Sequence, residues 1–428
     1  MKILKDLPEL IENQIISEET AERIRLYFKA KEKPSANRMF IVFGVLGAIL
    51  VGLGIILILA HNWDELSMVT KTVLAFLPLV IGQVLCAYTL LRMNESISWR
   101  ESSAVFLTLS VGACISLISQ IYNIPGNISS FMLTWVLLTI PIVYLMKSSI
   151  TSLLYIIGIT YYACETNYFH YPQTENYNYW LLLLLVLPHY YLLFKKKPNS
   201  NFTSFHNWLL PLSLCIVLGT LAVEMGNLMF ISYMSLFGMF YLIGNSILFT
   251  DKKKINNGYK LLGIAGSLIL LLILSFDSLW ENIRDDNYLM ENIIISPEFW
   301  TIILITGIAI VLLFFQLKNK SLSEIKPFDF VFIVFLLTYL FSSTSILAVI
   351  MINLILLTIG IITIKEGTTK DHLGILNFGL LIITILVICR FFDTDISFVT
   401  RGILFILVGF GFFATNYYMI KRRKSNEQ

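Results

Sequence analysis

The chain has 428 residues, 57% of them hydrophobic and only 14% charged, where soluble globular domains carry about 25% charged residues. With a mean hydropathy of +0.76, too little polar surface exists to cover so apolar a core, so lipid is expected as the outer solvent. The net charge is +3 and no basic run is interleaved with aromatics, which argues against a nucleic-acid partner.

Residues 1–35 are polar, so no cleavable signal peptide is expected. KILKDLPELIENQII reads as an amphipathic helix with Leu4, Leu7, Leu10 and Ile11 on one face. Ser17 stands at an N-cap position ahead of Glu18 and Glu19, and SEETAERIRLYFKAKEK continues as a second helix that Pro34 ends. Two short helices bury little alone, so this cytoplasmic hairpin is expected to pack on the membrane domain or on a cytoplasmic protein partner.

From residue 39 the sequence predicts fourteen spans of roughly the length a bilayer needs: 39–60, 70–91, 102–121, 131–146, 149–164, 178–194, 206–224, 228–249, 259–277, 297–317, 327–341, 344–364, 372–390 and 397–419. The fourth and fifth are short, and a re-entrant pair is the alternative to two spans. With the N-terminus inside, 23 of the 31 basic residues fall on inside loops and flanks, and only Lys71, Arg284, Arg390 and Arg401 fall outside. Loop-by-loop alternation of this kind is the positive-inside signal, and one missed span would reverse it. The fold class is therefore an all-α, polytopic integral membrane protein, N-in and C-in, with helices arranged as hairpins. The domains are 1–35 (cytoplasmic hairpin), 39–419 (transmembrane) and 420–428 (basic tail).

Trp63, Trp180, Trp208, Trp280 and Trp300 fall near span ends and read as interface anchors. Pro78, Pro141, Pro188 and Pro211 read as kinks, and Gly44, Ala48 and Gly52 as a close-packing stripe on the first span. His189, beside Pro188, receives no role. The five cysteines lie in or at the ends of apolar runs without a CxxC, as small packing residues. Asp64 followed by SMVTK, and Asp393 followed by SFVTR, share a pattern that Asp277 partly repeats, consistent with duplicated hairpins or with convergence on an interface pattern.

Charges at membrane depth are functional candidates. His61, Asp64 and Glu65 form one group, Glu224 a second, and Arg390, Asp393, Asp395 and Arg401 a third, all expected on the outer side. They read as a structural ion pair or as a substrate or proton site. Gln83, Gln120, Asn245, Asn353, Asn377 and Asn416 are the in-span amides, read as interhelical hydrogen bonders or as a polar pathway. No Walker A, HExxH or GxSxG motif occurs, so no cofactor, metal or catalytic residue is expected.

The segment LPELIENQIISEETAERIRLYF, the glycine-rich first span and the Ala60-His61-Asn62-Trp63 loop together resemble a bacterial "predicted membrane protein" family defined by an N-terminal domain of unknown function. The likeness is best over roughly residues 5–150. It implies a bacterial inner-membrane location, multi-pass, and nothing about substrate. The expected function is transporter- or flippase-like, with a site near the outer leaflet and membrane lipid around it. The alternatives are a membrane-embedded transferase acting on a lipid-linked substrate, with Asp64 or Glu65 as its carboxylate, and a non-catalytic scaffold.

Overall fold

The computed structural model describes residues 15–31, 63–169, 177–222, 225–249, 254–285, 290–318, 325–341, 344–391 and 397–399, with scattered positions in 7–13 and 402–417. It divides into two compact units, residues 1–75 and 76–428.

In the first unit, α1 is Glu18–Lys31. Ser17 Oγ accepts from Thr20 N at 3.2 Å, and Arg23–Glu19 and Arg25–Glu22 pairs run along the exposed face. Leu7 and Ala21 are buried. A 3₁₀ turn, Trp63–Glu65, leads into α2, Met68–Arg92, whose later residues belong to the second unit. The SMVT motif now has a physical meaning. Ser67 Oγ accepts from Thr70 N at 3.2 Å, so the serine caps the returning helix. Asp393, Asp395 and Arg401, from the second copy, lie outside the described residues, as does the first span with Gly44, Ala48 and Gly52.

The second unit continues with α3 (Ile97–Ile121), α4 (Ile128–Met146), α5 (Ser149–Asn167), α6 (Asn178–Lys196), α7 (Asn201–Leu218), α8 (Met229–Gly244), α9 (Gly258–Ile273), α10 (Asp277–Asp285), α11 (Met290–Ile295), α12 (Pro297–Lys318), α13 (Pro327–Phe341), α14 (Ser345–Thr369) and α15 (Leu373–Phe391). Each predicted span from 70–91 to 372–390 thus has its helix. Among the described residues, eight helices are long and apolar enough to cross a membrane, and α9 and α13 are shorter apolar helices. The chain is all-α among the described residues. Short loops work because the returning helix carries its own cap: Ser96, Asn127, Ser148, Ser200, Asn257 and Thr344 each accept from a first-turn N–H.

The fourth and fifth runs are separate helices of 19 residues each, about 28 Å long at the α-helical rise. Lys147 turns the chain in the left-handed region (φ 49°, ψ 41°). Glu101 of α3 pins that turn: its Oε1 accepts from Ser149 N and its Oε2 from Ile150 N, both at 2.9 Å, and Ser148 Oγ donates to it as well. A buried carboxylate thus satisfies the positive end of α5.

Contacts sort the loops onto two faces. On the lysine-rich face Glu101 meets the 147–150 turn, Asn207 and Trp208 donate to the carbonyls of Asn256 and Ile255, and Lys326 pairs with Glu366. On the opposite face Asn167 donates to Thr220 O, Met225 N to Glu298, Tyr339 to Asn227 O and Asn353 to Ser275 O. Among these contacts none joins a residue from one set of loops to one from the other, as the alternation of basic loops requires.

Outward faces are apolar: Leu304, Ile308, Val311 and Phe315 form an exposed stripe on α12, while Glu298, Ile305, Ala309 and Leu313 face inward. Two larger cores lie inside. One gathers Tyr155, Ile156, Tyr179 and Val186 of α5 and α6; the other gathers Met234, Leu271, Phe332, Phe335, Ile352 and Leu356 of α8, α9, α13 and α14. Trp280 belongs to the second core. It is 1% exposed, its Nε1 donates to Leu274 O at 2.7 Å, and its ring packs on Tyr339. It is therefore a buried plug rather than an interface anchor, because α10 turns its Leu279–Trp280–Ile283 side onto the bundle. Trp300, at 59% exposure, remains outward.

Candidate functional site

A cavity of about 820 Å³ opens among the ends of α8, α9, α13, α14 and α15 on the lysine-rich face. This lies near the upper end of the volumes that hold drug-sized ligands. Along α9 the lining runs from Lys260 to Leu268, about 12 Å at the helical rise. Its rim is polar (Asn245, Asn257, Lys260, Lys326, Glu366, His372), and its depth is apolar, with Ile264, Ala265, Leu268 and Phe378.

Each rim group is held by a named element. Asn257 caps α9, its Oδ1 accepting from Lys260 N at 3.1 Å while its Nδ2 donates to Gly244 O at 2.7 Å. That ties the start of α9 to the end of α8. Gly244 is needed there, since a Cβ would stand 2.5 Å from Lys260 N. Lys260 Nζ donates to Asn245 Oδ1 at 2.9 Å and lies 5.8 Å from the centre of the Tyr241 ring. At the start of α13, Lys326 N donates to buried Asp329 at 2.9 Å. Lys326 Nζ and Lys370 Nζ converge on one oxygen, Glu366 Oε1, at 2.9 and 2.7 Å. The lining therefore holds two lysines and one carboxylate, and that carboxylate is shared with a third lysine.

The candidate residues read from sequence fall in several places. Asn245 lines the cavity. Arg390 is at the other end of α15, 18 residues and about 27 Å from His372. Its Nη2 donates to Ser275 Oγ at 3.1 Å and its guanidinium lies 4.6 Å from the Phe276 ring centre. Asn353 reaches the same corner, its Nδ2 donating to Val349 O at 2.7 Å and to Ser275 O at 3.3 Å. Asp64 and Glu65 are exposed on their 3₁₀ turn, and Gln83, Gln120 and Asn377 are exposed on their helices. His61, Glu224 and Asn416 lie outside the described residues, with Asp393, Asp395 and Arg401. Lys260, Lys326 and Glu366 were counted in sequence only as inside-loop charges or not at all; the signal was their position within one turn of a span end.

A second polar cluster is closed. Ser152 Oγ lies 2.9 Å from His206 Nε2, and His206 Nδ1 lies 2.8 Å from Phe202 O, with both side chains fully buried. His189 and Tyr190 flank His206 at ring distances of 6.2 and 5.9 Å. This cluster joins α5, α6 and α7. Among the described residues no group of three or more His, Cys, Asp or Glu is placed to hold a metal ion.

The helices and their apolar outer surface define a multi-pass α-helical integral membrane protein. A family model described as "Predicted membrane protein (DUF2157)" matches residues 8–152, the stretch that holds the helix pair and the AHNW loop. The match ends within α5, and the cavity is built entirely from later residues. No curated protein and no solved structure matches the chain.

Proposed function

We propose that the protein is transporter- or flippase-like and takes an amphipathic cargo into the cavity from the lysine-rich leaflet. The observation that supports this is the cavity itself: a charged rim above an apolar depth, open between five membrane helices. On this reading the lysine-rich face is cytoplasmic, the membrane is a bacterial inner membrane, and Arg390 with its outer-side neighbours stands at the far end of the path. Residues 1–35 would dock a cytoplasmic partner. The transferase alternative rests on Asp64 and Glu65, which project from an exposed turn.

The test is leaflet exchange of head-group-labelled lipids, anionic and neutral, in proteoliposomes with and without a proton gradient. Wild type is expected to exceed protein-free liposomes for at least one lipid, and Ala265→Trp, which fills the cavity, is expected to remove the excess. Wild-type exchange equal to that of protein-free liposomes for every lipid and gradient overturns the reading.

A further inference from the structure

We infer that the cavity recognises the phosphate group of an anionic amphiphile, with Lys260 and Lys326 as its holders and Glu366 as the counter-ion it displaces; this rests on the amphiphile reading above and names its head group. The charge balance comes first. Lys260 and Lys326 line the cavity against one carboxylate, Glu366, which Lys370 shares from beside the lining, while buried Asp329 stands at the start of α13. The sum is a net charge of about +1, which favours an anionic group such as a phosphate monoester, charged about −1.5 to −2 at neutral pH. A cationic cargo would meet two lining lysines, and a neutral one would make no use of their charge.

Geometry adds to the charge. Lys260 is held in place by Asn245 and Tyr241, both lining residues, so its ammonium is already aimed at the cavity. Among the described residues, Lys326 Nζ is bound through a carboxylate oxygen that also serves Lys370. An incoming phosphate oxygen can replace Glu366 on Lys326 while Lys370 keeps Glu366 neutralised, so the exchange leaves no charge unpaired. The cavity also receives the N-terminal ends of α9, α13 and α15, whose dipoles favour an anion. Below the rim, Ile264, Ala265, Leu268 and Phe378 offer hydrocarbon contact to a lipid tail and none to a free phosphate ion. Basic pockets between membrane helices on the cytoplasmic side are known places for such head groups.

The experiment uses the full-length protein in detergent, with binding read by native mass spectrometry and by ligand-induced thermal shift. The probes are phosphatidic acid, phosphatidylcholine with the same chains, and inorganic phosphate. Phosphatidic acid is expected to bind at least about tenfold tighter than phosphatidylcholine, the scale of one charge-assisted hydrogen bond. Lys260→Gln and Lys326→Gln should each remove most of that preference, Lys260→Arg should restore it, and Glu366→Gln should strengthen phosphatidic acid binding. Ala265→Trp should weaken phosphatidic acid alone.

Equal affinity for the two lipids, or a preference untouched by Lys260→Gln in a protein that melts like wild type, overturns the inference. Inorganic phosphate binding as tightly as phosphatidic acid overturns its amphiphile part. Selective binding without leaflet exchange leaves a phospholipid site and removes the transport reading. Exchange that ignores both head group and lysine substitutions does the reverse.

Discussion

Glu101→Gln is the sharpest test of the helix framework. Glu101 is 7% exposed and offers one oxygen to Ser149 N and the other to Ile150 N and Ser148 Oγ. A glutamine has one acceptor oxygen, so whichever way its amide turns, an NH₂ group faces a backbone N–H. One buried N–H then loses its partner, at a cost of about 1–3 kcal/mol. The missing negative charge at the start of α5 adds roughly 0.3–2 kcal/mol. The loss is local, so it is read by hydrogen–deuterium exchange over residues 148–152 in detergent. The hydrogen-bond loss of about 1–3 kcal/mol alone speeds exchange about 5- to 150-fold there, while α12 and α13 stay protected. Exchange within a factor of about two of wild type at Ser149 and Ile150 would refute the argument that this carboxylate holds the α4–α5 turn.

Other expectations follow from the packing. Gly263→Ala should lower the detergent melting temperature, because a Cβ would stand 2.6 Å from Tyr241 N and 2.7 Å from Phe237 O, and overpacking of this kind costs about 1–3 kcal/mol. Gly379→Ala should act similarly on α14 and α15, with Ile364 N 2.7 Å from the new Cβ; unchanged melting would contradict the close approach. Ser152→Ala should cost about 1–3 kcal/mol by leaving His206 Nε2 alone in the core. Adding His206→Phe should then cost less than the two separate losses combined, as a double-mutant cycle would show. Arg390→Leu should destabilise the corner formed with Ser275 and Phe276, and Arg390→Lys should not restore it, since an ammonium lacks the flat guanidinium that stacks on the ring.

Hydropathy and basic-loop alternation made the helices and their two faces legible, since both depend only on the bilayer. Even Ser67 and Thr70, which first look like a repeat, are readable afterwards as a cap. The buried carboxylates were harder. Asp329 follows Pro327 in the first helical turn and accepts from Lys326 N, a local pattern that marks an acceptor for helix-start N–H groups. Glu101 and Glu298 carry no such mark, because their donors, Ser149 and Ile150 for the one and Met225 for the other, stand 48, 49 and 73 residues away. The glycines that matter in α14 and α15 are Gly360, Gly367 and Gly379, where Cβ atoms would lie 2.4–2.7 Å from the facing helix; Gly360 and Gly367 stand seven residues apart on one face of α14, whereas no such spacing ties Gly379 to them. Trp280 looked like any tryptophan near a span end until α10 turned it inward. The cavity had no sequence signature, since it arises where five helix ends fail to close.

The seating of Trp280 sets an energetic threshold for the molecule. A large aromatic side chain buries up to about 250 Å², worth about 6 kcal/mol at 25 cal/mol per Å². Lifting α10 off the bundle would therefore leave the open form at about one molecule in 25,000. On the proposed transport reading, this packing keeps the face opposite the cavity closed in the absence of a driving force. On that reading, turnover would draw that much free energy from the cargo, a gradient or a partner. A Trp280→Ala protein, with the latch removed, would be expected to leak where the wild type does not, as a liposome-entrapped dye would report.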